Sequence, residues 1–186
     1  MKRQKTQKIA TAVITVIAII VILPILYVIG FLFYNGIGAI SWEFLSQPPR
    51  NGMTEGGLLP AILGTIFLTL GTAVAAIPLG IGAAIYLAEY AGDNRLTRLI
   101  RLAIVNLAGI PSIVYGLFGL GAFVLFLNFG TSILAGSLTL GLMTLPVLIS
   151  TAEEAIRSVP AEFRTVSLSL GATRWQTIRH QVLPHA

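Results

Sequence analysis

PAEFRTVSLSLGATRWQTIRHQVLP, residues Pro160–Pro184, is the longest segment in the second half of the chain that cannot sit in lipid. It carries Glu162, Arg164, Arg174, Arg179 and His180, and a charge at a bilayer centre costs about 2.5–3.5 kcal/mol on insertion scales. Its local pattern predicts two short helices with a hinge. Pro160 suits a first helical position, and Glu162 complements the positive end of the helix dipole. Phe163, Val166 and Leu170 align on one apolar face. Gly171 stops that helix, because glycine accepts the left-handed cap without a Cβ clash. Thr173-Arg174-Trp175-Gln176 then has the T-x-x-Q form of a capping box, which starts a second helix. The product is a helix–glycine–helix elbow with an apolar edge. A helical tail resting on the membrane surface has the same pattern.

Outward from this elbow the chain is mostly apolar. Its 186 residues are 55% hydrophobic and only 10% charged, with a mean hydropathy of +0.88. A soluble domain carries about a quarter charged residues, so this is an all-α, polytopic transmembrane helical bundle. There is no cysteine, which removes disulfides and thiolate metal sites. The net charge of +5 does not point to nucleic acid, because the charges cluster between apolar runs and there report membrane orientation.

Four spans are expected. After Lys2, Arg3, Lys5 and Lys8, an apolar run extends from Ile9 to about Tyr34 and includes Pro24. A signal-peptide core is about 7–15 residues long, so this longer run is an uncleaved, tilted span. Residues 35–57 form a polar connector with turn signals at Asn35-Gly36, Pro48-Pro49 and Asn51-Gly52. The second span, about 58–87, carries the small residues Gly71, Ala75, Ala76, Gly80 and Ala84 at four-residue spacings, the pattern of close helix packing. Glu89 at its end is either a functional acid or a boundary residue paired with an arginine. Residues 91–101 read as a short basic loop. The third span, about 102–129, holds Asn106, Pro111, Ser112, Tyr115 and several glycines. That composition fits a bent element lining a pathway, with Asn106, Ser112 and Tyr115 as candidate lining residues; it equally fits tight packing with no pathway. The fourth span is about 133–150.

Four Lys/Arg precede span one, three lie between spans two and three, four follow span four, and Arg50 alone falls on the other side, a split of 11 to 1. The positive-inside rule puts the N-terminus, residues 91–101 and the elbow in the cytoplasm. The chain thus divides into a basic cytoplasmic N-terminus (1–8), a transmembrane region (9–150) and a cytoplasmic segment (151–186). No enzyme chemistry is expected, and no cofactor. The chain has no G-x-x-x-x-G-K-[ST] to cradle ATP phosphates. His180 and His185, five apart, do not share a helix face, so no metal site is expected. Glu153 and Glu154 point apart, toward solvent or Arg157, rather than forming an acid–base pair.

Gly171, nine residues, then Gln181-Val182-Leu183-Pro184 resembles the EAA loop of ABC-importer permeases, written E-A-A, three residues, Gly, nine residues, I-x-L-P. Gly171, Leu183 and Pro184 agree; the triad falls on Thr165-Val166-Ser167 and the isoleucine on Gln181. NGMTEGGLLPAILGT (51–65), IPLGIGAAIYLAEY (77–90) and PSIVYGLFGLG (111–121) add to this. From about residue 9 to its last residue the chain resembles the A-type permease subunit of the phosphate-specific ABC importer. The resemblance implies a type I importer fold in the plasma membrane, built with a second related permease subunit above a dimeric ATPase. An extracytoplasmic phosphate-binding protein would deliver the anion, near residues 35–57, although that stretch also reads as a plain solvated loop. By the same resemblance Glu162, Phe163, Arg164, Val166, Leu170, Gly171, Arg174, Leu183 and Pro184 carry ATPase coupling. Phe163, Val166 and Leu170 would be buried against the ATPase, with Arg164 and Arg174 on its surface.

The chain departs from the family in two places. The family continues with two more spans beyond L-P, so the chain is expected to be a fragment that ends as the next helix starts. The family also often carries an arginine where this chain has Ser150. The spans offer no Lys or Arg in their interior, so groups that coordinate phosphate would come from elsewhere. The competing readings are a permease for a different small solute and a non-transporting membrane scaffold.

Overall fold

The computed structural model describes residues 2–186, which are helical throughout apart from turns and one isolated β-bridge. Among the described residues, three helices are long and apolar enough to cross a membrane, or four if one bent pair counts as a single span. The all-α polytopic architecture is as the composition predicts. The chain forms two compact units, one reaching to Ile62 and one from Leu63 to Ala186.

In the first unit, α1 (Lys2–Gly36) runs unbroken past Pro24. Its apolar side chains from Thr11 onward are exposed all round, the state of a helix whose solvent is lipid. The connector after it is folded rather than loose. A 3₁₀ turn, Ile37–Ala39, precedes α2 (Trp42–Ser46), whose N-cap Ser41 Oγ accepts from the Phe44 N–H at 3.1 Å. Arg50 and Glu55 then exchange backbone hydrogen bonds of 2.7 and 3.3 Å across a tight turn at Asn51-Gly52. The Leu58 N–H closes the stretch on the Phe44 carbonyl at 2.8 Å. Gly56, at φ +88°, has no room for a Cβ against the Pro48 carbonyl.

The second unit is organised around α6 (Ile133–Ser158). On one side lies α3 (Leu59–Ile85), which ends in a π-helical turn, Tyr86–Tyr90. On the other lie α4 (Arg95–Ala108) and α5 (Ser112–Gly119), the latter continued by a π-helical stretch, Leu120–Phe126. Small residues set these distances. A Cβ on Gly80 would meet the Leu148 side chain at 2.5 Å, and one on Gly141 would meet Ala75 Cβ at 3.4 Å. Gly71 and Gly119 likewise back onto Ser137 and Thr139 of α6. Ala76, Gly80 and Ala84 form the buried stripe of α3.

Three boundaries differ from the sequence expectation. Residues 91–101 are not a loop throughout. Asn94 caps a helix by accepting from the Thr97 N–H at 2.8 Å, so Arg95, Arg98 and Arg101 stand on α4. The third span, expected as a bent element over about 102–129, is two helices meeting at 96° and begins earlier, at Arg95. Finally, α6 continues past Ser150 to Ser158, because nothing breaks it until Pro160 forces Val159 into an extended conformation.

Candidate functional site

The elbow forms from purely local chemistry. Pro160 occupies the N-cap of α7 (Ala161–Ser169), one position earlier than expected, and Glu162 lies in the first turn. At the other end the Gly171 N–H donates to the Leu168 carbonyl at 3.0 Å and the Ala172 N–H to the Ser167 carbonyl at 3.2 Å. This crossed pair is a Schellman cap, and its left-handed residue is Gly171 at φ +84°. Next, α8 (Arg174–Thr177) opens with both halves of a capping box. Gln176 N–H donates to Thr173 Oγ1 at 3.3 Å, and the Thr173 N–H donates to Gln176 Oε1 at 2.8 Å. The Ser167 and Thr177 hydroxyls close the corner at 2.9 Å. Four elements of local sequence thus define one rigid bend.

The two arms of the bend are held differently. Beyond α8 the chain continues through a π-helical turn, Ile178–Val182, and a 3₁₀ turn, Leu183–His185. Ile178 and Val182 are fully buried, Val182 in a cluster with Ala84, Ile156 and Val159. Burying such side chains is worth about 1.5–3 kcal/mol each, so apolar packing fixes this arm to the ends of α3 and α6. By contrast α7 has no buried residue. Val166 is 60% and Leu170 83% exposed, with Phe163, Leu168 and Trp175 exposed nearby. A cleft of about 470 Å³ opens along this edge between Phe163, Val166, Leu170 and Gln181.

What holds α7 is charge. The Arg164 guanidinium donates to Glu89 Oε1 at 2.7 and 2.9 Å, to the Val159 carbonyl at 2.7 Å and to the Ile156 carbonyl at 2.8 Å. A second cluster sits beside it. Glu153 Oε1 accepts from Arg101 Nε at 2.8 Å and Arg157 Nε at 2.9 Å, and both arginines also donate to the Leu87 carbonyl. Removing one partner from such a buried cluster strands the other.

The bend between α4 and α5 has an equally specific cause. Pro111 has no N–H to give the Leu107 carbonyl, four residues back. The Ile110 N–H and the Tyr115 hydroxyl donate to that carbonyl instead, at 3.1 and 3.0 Å. Ile104, Leu107, Val114, Tyr115 and Phe118 then line an apolar cleft of about 420 Å³ against α6.

A family model described as binding-protein-dependent transport system inner membrane component matches residues 76–186, the stretch from the α3 stripe through the elbow. The chain belongs to that family. Its likeness to individual inner membrane components extends further. It is 34% identical over 186 residues to the probable ABC transporter permease protein YqgI of Bacillus subtilis, covering all of this chain and 63% of that protein. It is 41% identical over 131 residues to the phosphate transport system permease protein PstA 1 of Mycobacterium tuberculosis, covering 70% of this chain and 42% of that protein. It is 32% identical over 190 residues to the phosphate transport system permease protein PstA of Mycobacterium leprae, covering all of this chain and 62% of that protein. The chain therefore spans between 42% and 63% of the length of these relatives. No solved structure matches it.

As an inner membrane component, the chain distributes the residues singled out from its sequence over three places. Glu162, Phe163, Val166, Leu170, Gly171 and Arg174 gather on the exposed elbow. Arg164, expected at an ATPase surface, and Leu183, expected to take part in coupling, turn inward. Arg164 is drawn to Glu89, and Leu183 packs against the Val182 cluster. Pro184 is exposed in the 3₁₀ turn. Gly71, Ala75, Ala76, Gly80 and Ala84 line the contact of α3 with α6. Asn106 and Ser112 are exposed on either side of the bend, and Tyr115 secures it. Sequence reasoning missed Trp175 as part of the apolar edge. It expected Glu89 to pair, if at all, with an arginine nearby; the actual partner is 75 positions away.

Proposed function

We propose that this chain is part of the membrane-spanning translocation subunit of an ATP-driven importer of inorganic phosphate, and that it docks a separate ATPase through the Gly171 elbow. The observation that carries the reading is the elbow itself. It is a capped, rigid corner whose apolar edge of Val166, Leu170 and Trp175 is largely exposed, with Phe163 beside it packed against His185. A lipid-bathed helix needs no such corner, whereas a surface that must transmit force does. The names of the Mycobacterium relatives, phosphate transport system permeases, support phosphate as the cargo.

In this reading the 11-to-1 distribution of basic residues places the N-terminus and the elbow in the cytoplasm. The ATPase, as a dimer, binds there, and the chain, having no P-loop of its own, hydrolyses nothing. A second related permease subunit completes the pathway, with Asn106, Ser112 and Tyr115 on its side of the bend. An extracytoplasmic phosphate-binding protein delivers the anion to the opposite face. Gly71, Ala75, Ala76, Gly80 and Ala84 hold the moving helices in register.

Import of a different small solute is the second reading. It is favoured by the Bacillus subtilis relatives, whose names carry no substrate, and by the lack of Lys or Arg within the span interiors. Uptake of labelled phosphate, competed with sulfate and molybdate, separates the two. The assay uses the full-length gene product in a strain lacking its own phosphate importer. Restored uptake that only phosphate competes supports the first reading. An ATPase complex without phosphate uptake supports the second, and no ATPase complex at all leaves a membrane scaffold.

A further inference from the structure

The π-helical turn that ends α3, Tyr86–Tyr90, is gripped from two sides by different kinds of contact. On one side the Leu87 carbonyl receives Arg101 of α4 at 2.8 Å and Arg157 of α6 at 3.3 Å, and Glu153 ties these two arginines together. On the other side Glu89 receives Arg164 of α7 through two N–H groups. The Glu89 and Arg164 side chains are only 12% and 24% exposed. Among the described residues, Arg164 makes the only side-chain hydrogen bonds from α7 to the helices that precede it.

A two-point ionic contact of this kind is short, directional and stiff, while the apolar edge of α7 lies free. A push on that edge therefore reaches the end of α3 directly through this ion pair, and otherwise only by way of the second arm, whose Val182 packs on Ala84. The turn it reaches is the kind that yields: a π-helical segment closes rings one residue wider than an α-helix, as the Ala91 N–H does on the Tyr86 carbonyl at 2.8 Å.

We propose that Glu89 and Arg164 are positioning residues that pass displacement of the elbow into the end of α3, and that the Glu153–Arg101–Arg157 triad holds the far side of the same turn as a fulcrum. This rests on the coupling role assigned to the elbow above. A merely structural staple would make the two clusters equivalent. A transmitting pair makes them different.

The test uses the full-length protein assembled with its ATPase and partner subunits in liposomes. Glu89→Gln keeps the shape and one acceptor, and leaves the two carbonyl contacts of Arg164 in place. The chain contains no cysteine, so a single Tyr86→Cys reports on the turn by its labelling rate with and without ATP and vanadate. Glu89→Gln is expected to bind the ATPase and hydrolyse ATP, but to carry about tenfold less inorganic phosphate per ATP. It is also expected to lose the nucleotide-dependent change at Tyr86→Cys, and Glu89→Asp should restore part of both. Glu153→Gln, which loosens the fulcrum and leaves the transmitting pair intact, should lower the melting temperature while reducing phosphate carried per ATP much less than Glu89→Gln does. An unaltered ratio and unaltered labelling in Glu89→Gln would overturn the inference, as would a parallel loss of stability, hydrolysis and uptake in both variants. If the unmodified protein changes labelling with nucleotide yet moves no phosphate, only the substrate is refuted. If it binds no ATPase, the coupling role falls and this inference with it.

Discussion

Replacing Gly171 perturbs the elbow without touching a neighbour, which makes its effect calculable. A Cβ built there meets no heavy atom within 4 Å, but the residue sits at φ +84°. The cost is therefore conformational, about 1–2 kcal/mol for an L-residue in the left-handed region. Alanine should pay about 1 kcal/mol. Asparagine, enriched in that region, should pay less, and β-branched valine the most. A loss of 1–2 kcal/mol lowers the population of the capped corner about five- to thirty-fold. Membrane insertion is untouched, because the spans are held by contacts elsewhere. In the full-length protein, titration with its ATPase should show affinity falling in the order Gly, Asn, Ala, Val. The overall weakening should be about tenfold, at near-normal amounts in the membrane. Phosphate uptake should follow the same order. Gln176→Ala removes one exposed capping bond and should be mild. If Gly171→Val binds the ATPase as tightly as the unmodified protein, or if Asn behaves like Val, the corner is not what the ATPase recognises.

Single cysteines at Asn51 and Asn94 should react with an impermeant reagent from opposite membrane faces; reaction from the same face would invert the orientation drawn from the basic residues. Gly80→Leu should destabilise the protein in detergent by about 1–3 kcal/mol through overpacking against Leu148. Gly82→Leu, where a Cβ meets nothing within 4 Å, should leave the melting temperature unchanged, and equal behaviour of the two would move the packing face. Tyr115→Phe removes the hydroxyl that serves the Leu107 carbonyl and should cost about 1 kcal/mol. An unchanged melting temperature would mean the bend needs no such bond.

Much of this protein is written locally. The apolar runs, Gly171, the Thr173–Gln176 box and the small residues of α3 were legible because each depends on lipid or on neighbours within four or five positions. The bend at Pro111 was visible as one of two readings of a proline, polar side chains and glycines in one span, though not its angle. Folding of the 35–57 connector and the continuation of α6 to Ser158 were less legible, since turn residues and charges there read equally as open loop. The pairing of charges lay beyond sequence altogether. Glu89 has Arg95 close by and yet meets Arg164, and Glu153 recruits Arg101 from 52 positions away as well as Arg157 from the next turn. Arg164, placed at an ATPase surface by the family resemblance, points inward for that reason. A helix is decided by its own residues, but a desolvated carboxylate must be matched by whichever guanidinium the packed helices bring beside it. That neighbour exists only once α3, α6 and α7 have met.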